Sequence, residues 1–337
     1  MRSFAWAICT VAALGATAAQ AQKINAAGAT FPAPIYQKWF GEYHTAHSDI
    51  EINYQAVGSG SGVNQLIAGT VDFAASDFPL TEEQTSKLKV KPFHFPTVMG
   101  AVVLTYNIPG VGPDLKLESA VVADIYLGKI NKWNDSRITK DNPGVKLPND
   151  DIVVVRRTDG SGTTFVFTDF LSKVSPEWKM KVGTAASVSW PGQTLSGSQN
   201  PGVTGLVKQT PNSIGYVELA YAMQNKMPYA TIKNAAGTWV KPSLESVTDA
   251  ASSAAKNMPD DFKVSITDEK SKNAYPISTF TWMLIPSQIP DAAKAKAIKG
   301  FLQWMLTDGQ KDTASLQYAP LPKTVVAKEM KQIALIK

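Results

Sequence analysis

The stretch Arg157-Thr158-Asp159-Gly160-Ser161-Gly162-Thr163-Thr164 brings together a guanidinium, a carboxylate, small hydroxyls and two glycines. It lies where an apolar run, Ile152-Val153-Val154-Val155, gives way to Phe167, Phe170, Leu171 and Val174. That spacing of i, i+3, i+4 and i+7 is one face of a helix. A strand that enters a helix through Ser/Gly/Thr leaves unpaired backbone N–H groups at the positive end of the helix dipole. Such a turn binds anions, and a neighbouring Arg suits a tetrahedral oxyanion. Arg156 competes for that role, but successive side chains of a strand point to opposite faces, so only one of the pair can face a given ligand.

Three further segments share the chemistry. Gly28-Ala29-Thr30-Phe31-Pro32 places Thr30 at a helix N-cap with Pro32 in the first turn. Gly58-Ser59-Gly60-Ser61-Gly62 follows a strand pattern and opens a helical one. Ser76-Asp77 ends another strand and adds a group that, ionised, only accepts hydrogen bonds. One such turn is ordinarily just a cap. Three donor turns with one Arg and one Asp, all at strand-to-helix ends, fit a ligand site, because open α/β sheets bind ligands at the carboxyl ends of their strands. None matches G-x-x-x-x-G-K-[ST], so a nucleotide P-loop is not indicated.

The elements that must position these turns alternate. Phe31, Ile35, Trp39 and Tyr43 mark a helix, and Ile50, Ile52 and Tyr54 a strand. Val63, Leu66 and Ile67 mark a helix ended by Gly69, and Val71 to Ala75 a strand. This predicts an α/β fold with an open sheet and a parallel core. Apolar Ala101 to Tyr106 carries the chain into a second domain, and Thr279 to Ile285 with a helix over 291–306 follow near the end. Residues 234–273 are polar and rich in Ala, Ser and Lys, and read as surface helices and loops of the second domain.

The 337 residues suffice for two domains. Lys and Arg outnumber Asp and Glu by 33 to 28 but are scattered, which argues against a nucleic-acid face. Arg2, the apolar segment Phe4 to Leu14 and Ala19-Gln20-Ala21 read as a signal peptide cleaved near Ala21. The sole cysteine, Cys9, falls inside it, so the mature chain is expected to have no disulfide and no Cys-ligated metal. Of the three histidines, His44 and His47 lie on a solvated helix face and His94 stands outside every donor turn, so no metal cluster is expected.

Taken in order, the segments AGATFPAPIYQKWF from Ala27, YQAVGSGSGV from Tyr54, VDFAASD from Val71 and FPTVMGAVVLTYNIPG from Phe95 resemble one family. So do DIYLGKINKW from Asp124, VVVRRTDGSGTTFVFTDFLSKV from Val153 and NSIGYVELAYA from Asn212. The chain resembles the PstS-type phosphate-binding proteins of bacterial phosphate ABC transporters, up to about residue 225 and again from Tyr275. The resemblance implies a periplasmic binding protein of type II, with two lobes of mixed and parallel sheet joined by a two-strand hinge. Lobe one would be 22–103 with 278–337, and lobe two 104–277. It implies a periplasmic, monomeric, non-enzymatic receptor without cofactor that binds inorganic phosphate and delivers it to the membrane permease subunits. The implied ligand-facing residues are Thr30, Phe31 (through its amide), Ser59 and Asp77 from lobe one. From lobe two they are Arg157, Ser161, Gly162 (through its amide) and Thr163, with Asp159 holding Arg157. The alternatives are a secreted phosphatase or a binder of another oxyanion.

Overall fold

The structure is a computed structural model, which describes residues 21–337; the expected signal peptide lies outside the described residues, Ala21 excepted. Eleven strands are formed among them: β1 (Gln22–Gly28), β2 (Ile50–Ala56), β3 (Phe73–Ser76), β4 (Pro92–Asn107), β5 (Lys116–Glu118), β6 (Val153–Arg157), β7 (Leu195–Gly197), β8 (Ser213–Glu218), β9 (Thr231–Lys233), β10 (Trp239–Val240) and β11 (Ser278–Pro286). Eight of them make one sheet in the order β2-β1-β3-β11-β4-β8-β6-β7, and β10-β9-β5 make a small second sheet.

The large sheet contains two parallel triads. In one, β1 runs parallel to β2 and β3; in the other, β6 runs parallel to β7 and β8. Between them lie β11 and β4, antiparallel to each other and to the triads. β4 belongs to both halves: Pro92 to Ala101 pair with β11, and Val102 to Asn107 pair with β8. Val102, Val103, Leu104 and Tyr106 are all fully buried, as expected of a strand covered on both faces. The strand is far longer than the predicted Ala101–Tyr106. Its first half carries Pro92 and Pro96; Pro96 sits where the pairing with β11 shifts register between Thr281 and Trp282, so the ladder tolerates its missing N–H.

The helices follow their apolar faces. Ala33–Ala46 buries Ile35, Tyr36, Trp39, Phe40 and Tyr43, and Gly162–Val174 buries Val166, Phe167, Phe170 and Leu171. Ala292–Thr307 buries the predicted Ala297, Ile298, Phe301, Leu302 and Met305. The region 234–273 departs from expectation. Its helix Leu244–Lys256 buries Val247, Ala250, Ala251 and Ala254, and is no mere surface of the second half. It packs against β4, β11 and the C-terminal helix Lys323–Ile333. Tyr275 N–H donates to Ser246 O at 3.0 Å, Trp282 Nε1 to Phe262 O at 3.0 Å and Thr324 Oγ1 to Ala255 O at 3.4 Å. Val247 and the small Ala250, Ala251 and Ala254 make a close-packing face at helical spacing. No helix among the described residues is long and apolar enough to cross a membrane.

Candidate functional site

The carboxyl ends of the two parallel triads meet. From the first come Thr30 after β1, Ser59 after β2 and Asp77 after β3. From the second come Arg157 at the end of β6, Ser161 to Thr163 just beyond it, and Asn200 after β7. Thr30, Phe31, Ser59, Asp77, Arg157, Ser161, Gly162 and Thr163 are all buried. A Cβ added to Gly162 would lie 2.4 Å from both Asp77 Oδ2 and Ser59 Oγ. The second-half helix therefore begins directly against the first-half carboxylate, at a distance only glycine allows.

The three donor turns are built differently. Helix Ser59–Ala68 opens straight from Gly58, without a side-chain cap. At Gly162–Val174 the cap is Ser161, whose Oγ accepts from Thr164 N–H at 3.0 Å. That leaves the amides of Gly162 and Thr163 as first-turn donors without an intrahelical acceptor. Thr30 is not the N-cap its sequence position predicts. The first helix begins at Ala33 behind Pro32, which has no N–H to be capped. The Thr30 hydroxyl is thereby free to accept from Asn200 Nδ2 at 2.9 Å.

Arg157 and Asp159 form a two-pronged pair. Nε donates to Oδ1 at 2.8 Å, and Nη2 meets Oδ2. Nη1 donates to Thr163 Oγ1 at 3.3 Å, so the guanidinium plane is fixed while each terminal nitrogen keeps an N–H for another acceptor. Burial pushes the Asp159 carboxyl up, but hydrogen bonds from Arg157 and its charge outweigh that and hold it below the ordinary value. Arg156 points elsewhere, to Thr194 Oγ1 at 3.2 Å and Arg157 O at 3.0 Å. Asp77 has hydroxyl partners: Thr281 Oγ1 donates to Oδ1 at 2.8 Å and Ser59 Oγ to Oδ2 at 3.4 Å. Burial raises its pKa to about 7, against the opposing effects of Thr281, the Arg157 charge and Ser59.

Sequence reading missed four neighbours: Asn200, Thr281, Tyr216 and Tyr221. Tyr216 Oη accepts from Arg157 N–H at 3.1 Å, and Tyr221 Oη donates to Thr30 O at 2.6 Å. Asn200 follows Ser196-Gly197-Ser198, the same strand-to-helix signature as the other turns, and Thr279/Thr281 alternate as polar positions in an apolar strand. The histidines lie apart. His94 is buried and accepts from Leu80 N–H at 3.1 Å, and burial pushes its pKa down to about 3. His44 Nδ1 lies 2.6 Å from Ile50 O. No group of three or more His, Cys, Asp or Glu able to hold a metal is found among the described residues.

The sequence model of the PBP superfamily domain matches residues 15–309. The phosphate-binding protein PstS of Xylella fastidiosa (strain Temecula1) is 47% identical over 305 residues, covering 90% of this chain and 83% of that one. The protein of the same name from Pasteurella multocida (strain Pm70) is 43% identical over 311 residues, with 92% and 89% covered. Among solved structures, a phosphate-binding protein from Stenotrophomonas maltophilia superposes with a TM-score of 0.72 over 92% of this chain and 93% of that one. At 19% identity that likeness speaks to the fold, a periplasmic-binding-protein type II architecture, and to nothing finer.

Proposed function

The chain belongs to the PstS phosphate-binding proteins of the PBP superfamily, and from that premise we propose that it closes on one inorganic phosphate ion and delivers it to the membrane permease of a phosphate ABC transporter. The lobes would be 22–103 with 278–337, and 104–277, the segment 244–262 leaning back onto the first. Phosphate would take hydrogen bonds from the Thr30 and Ser59 hydroxyls and the Phe31 amide on one side. On the other it would take them from the Arg157 guanidinium, the Ser161 and Thr163 hydroxyls and the Gly162 amide. Asp159 would hold Arg157 in its plane. The receptor would act in the periplasm as a monomer without enzymatic activity, after loss of its signal peptide near Ala21. A hydrolytic reading finds no support in the imidazoles, since His94 is neutral and engaged with Leu80 away from the donor turns.

The observation that carries the reading is Asp77: one carboxylate, 2% exposed, set among hydroxyl and amide donors and facing the helix that starts at Gly162. Phosphate at neutral pH keeps at least one proton, and an ionised Asp77 can accept it. Sulfate has none, so the same carboxylate would face a bare oxygen in a desolvated site. Sites built around a ligand's polar hydrogen reject analogues lacking it by about 10⁴–10⁵. Because the folded-state pKa of Asp77 is raised, to about 7, acidification through that value turns the acceptor into a donor. Sulfate should therefore compete better as pH falls. Calorimetric titration with phosphate, arsenate and sulfate at several pH values tests this. We expect wild-type protein to prefer phosphate over sulfate, and Asp77→Asn to lose both most of that preference and its pH dependence. An unchanged phosphate-to-sulfate ratio in Asp77→Asn would refute the role.

A further inference from the structure

We propose that Asn200 sets the hydrogen-bond polarity of the site, forcing the hydroxyls of Thr30 and Thr163 to act only as donors toward the bound anion. The inference rests on the phosphate reading above and assigns a task to a residue that touches the anion's ligands.

The orientation of the Asn200 carboxamide is fixed from behind. The backbone N–H of Glu218 can only donate, and it points at Asn200 Oδ1 from 3.0 Å. The NH₂ group must then face the other way, where it reaches Thr30 Oγ1 at 2.9 Å and Thr163 Oγ1 at 3.3 Å. Flipping the amide would set donor against donor at Glu218 and is excluded. Thr163 Oγ1 also accepts from Arg157 Nη1 at 3.3 Å, and Thr30 Oγ1 lies 3.4 Å from the Asn200 N–H. With their lone pairs taken by groups that can only donate, each hydroxyl has its hydrogen left to give. Both are fully buried, so an unsatisfied O–H there is costly. The partner that fits is an unprotonated oxygen of the anion. The ligand's proton is thereby turned away from this side and toward Asp77.

The turn that delivers Asn200 is itself anchored. Gln199 holds a left-handed backbone at φ 63°, uncommon for a non-glycine residue, and its N–H donates to Asp159 Oδ1 at 2.9 Å. The same carboxylate oxygen accepts from Arg157 Nε. Arg157 and Asn200 are therefore referred to one carboxylate, and the two hydroxyls they address receive a consistent instruction.

Several ionisable groups surround this network. Arg157 and Asp159 face it from β6 and the following turn, Asp77 from the end of β3, Glu218 from the end of β8 and Tyr221 from the helix Leu219–Gln224 that follows. Tyr318 donates to Phe31 O at 2.6 Å and lies 3.2 Å from Glu218 Oε2, and Tyr216 closes the floor against Arg157 N–H. The test must therefore compare pH profiles between variants rather than read one profile alone. Asn200→Asp replaces the donor NH₂ with an acceptor, so both threonine hydroxyls can turn back to it and present lone pairs to the ligand. Asn200→Ala removes the instruction without reversing it.

Phosphate affinity is measured by calorimetry from about pH 6 to about pH 9 for the full chain and both variants, with far-UV circular dichroism as the folding check. Asn200→Ala should bind roughly tenfold more weakly with a profile parallel to wild type, the loss of one well-made hydrogen-bond network. Asn200→Asp should bind at least about a hundredfold more weakly at the alkaline end and recover several-fold toward the acid end, where the ligand carries a second proton to offer. Parallel profiles for Asp and Ala overturn the proposal. So does an Asn200→Ala loss smaller than about threefold, which decides the matter even if Asn200→Asp does not fold. A wild-type chain that fails to bind phosphate sinks the receptor reading, and this assignment with it, in a titration that involves no variant.

Discussion

Asp77 and Asp159 stand at matching places in the two parallel triads, each just past the end of a strand, yet they are opposite acids. Asp159, with its side chain 14% exposed, is clasped by Arg157 and held ionised below the ordinary range. Asp77, 2% exposed, has only hydroxyls as direct partners, and burial lifts its pKa to about 7. What separates them is a cation within hydrogen-bonding distance, which outweighs desolvation in one case and acts only from farther away in the other. The first is a permanent charge used as a strut. The second is a group that can gain or lose a proton near neutral pH, which is what the proposed discrimination between phosphate and sulfate requires.

Removing the cation breaks the contrast most deeply. Arg157→Ala leaves Asp159 in the cleft without its partner, and truncating one member of a buried pair costs about 3–5 kcal/mol. Phosphate binding should weaken by at least about a hundredfold, and the Asp159 carboxyl should rise toward the Asp77 range in an NMR titration. Binding within about tenfold of wild type would show that the guanidinium is not needed. A narrower break comes at Gly162. A methyl there meets Asp77 Oδ2 and Ser59 Oγ at 2.4 Å, so Gly162→Ala should hold the halves apart. We expect an affinity loss of roughly 10–100-fold, from overpacking of about 1–3 kcal/mol. Normal affinity in that variant would mean the two residues need not approach so closely in the bound state. The smallest effect sharpens the comparison from outside. Arg156→Gln removes an adjacent cation that reaches only Thr194 and a carbonyl. It should change affinity by less than about threefold, and a calorimetric loss as large as that of Arg157→Ala would reverse the assignment of the two arginines.

The sequence was most legible where chemistry and backbone punctuation coincide. Arg157 to Thr164 and Gly58 to Gly62 announce themselves because glycines and small hydroxyls mark a strand-to-helix turn and also supply its donors. Asn200 carries the same signature in Ser196-Gly197-Ser198, but β7 before it has only three residues, too few for a periodic signal. Thr30 misled because a Thr two residues before a Pro looks like a cap, while the proline itself moved the helix start to Ala33. β1 went unread because Ile24 is its only large apolar side chain and the rest of its buried face is alanine and glycine. Thr281 reaches Asp77 across 204 residues of chain, and no local pattern encodes that contact. The parallel core followed from strand and helix alternation; the return of helix Leu244–Lys256 onto β4 and β11 did not, since a helix face does not say which distant strands it will cover.

β4 changes neighbours between Ala101 and Val102, and Gly100, one residue before Ala101, lies under the Phe31 ring: an added Cβ would come within 2.6 Å of Phe31 Cζ. A strand shared by both halves must carry any twist of one half against the other. The aromatic ring resting on it belongs to Phe31, the residue whose amide is proposed to face the anion. The closure proposed for the receptor would therefore twist the strand directly beneath the Phe31 ring, with no relay of side chains in between.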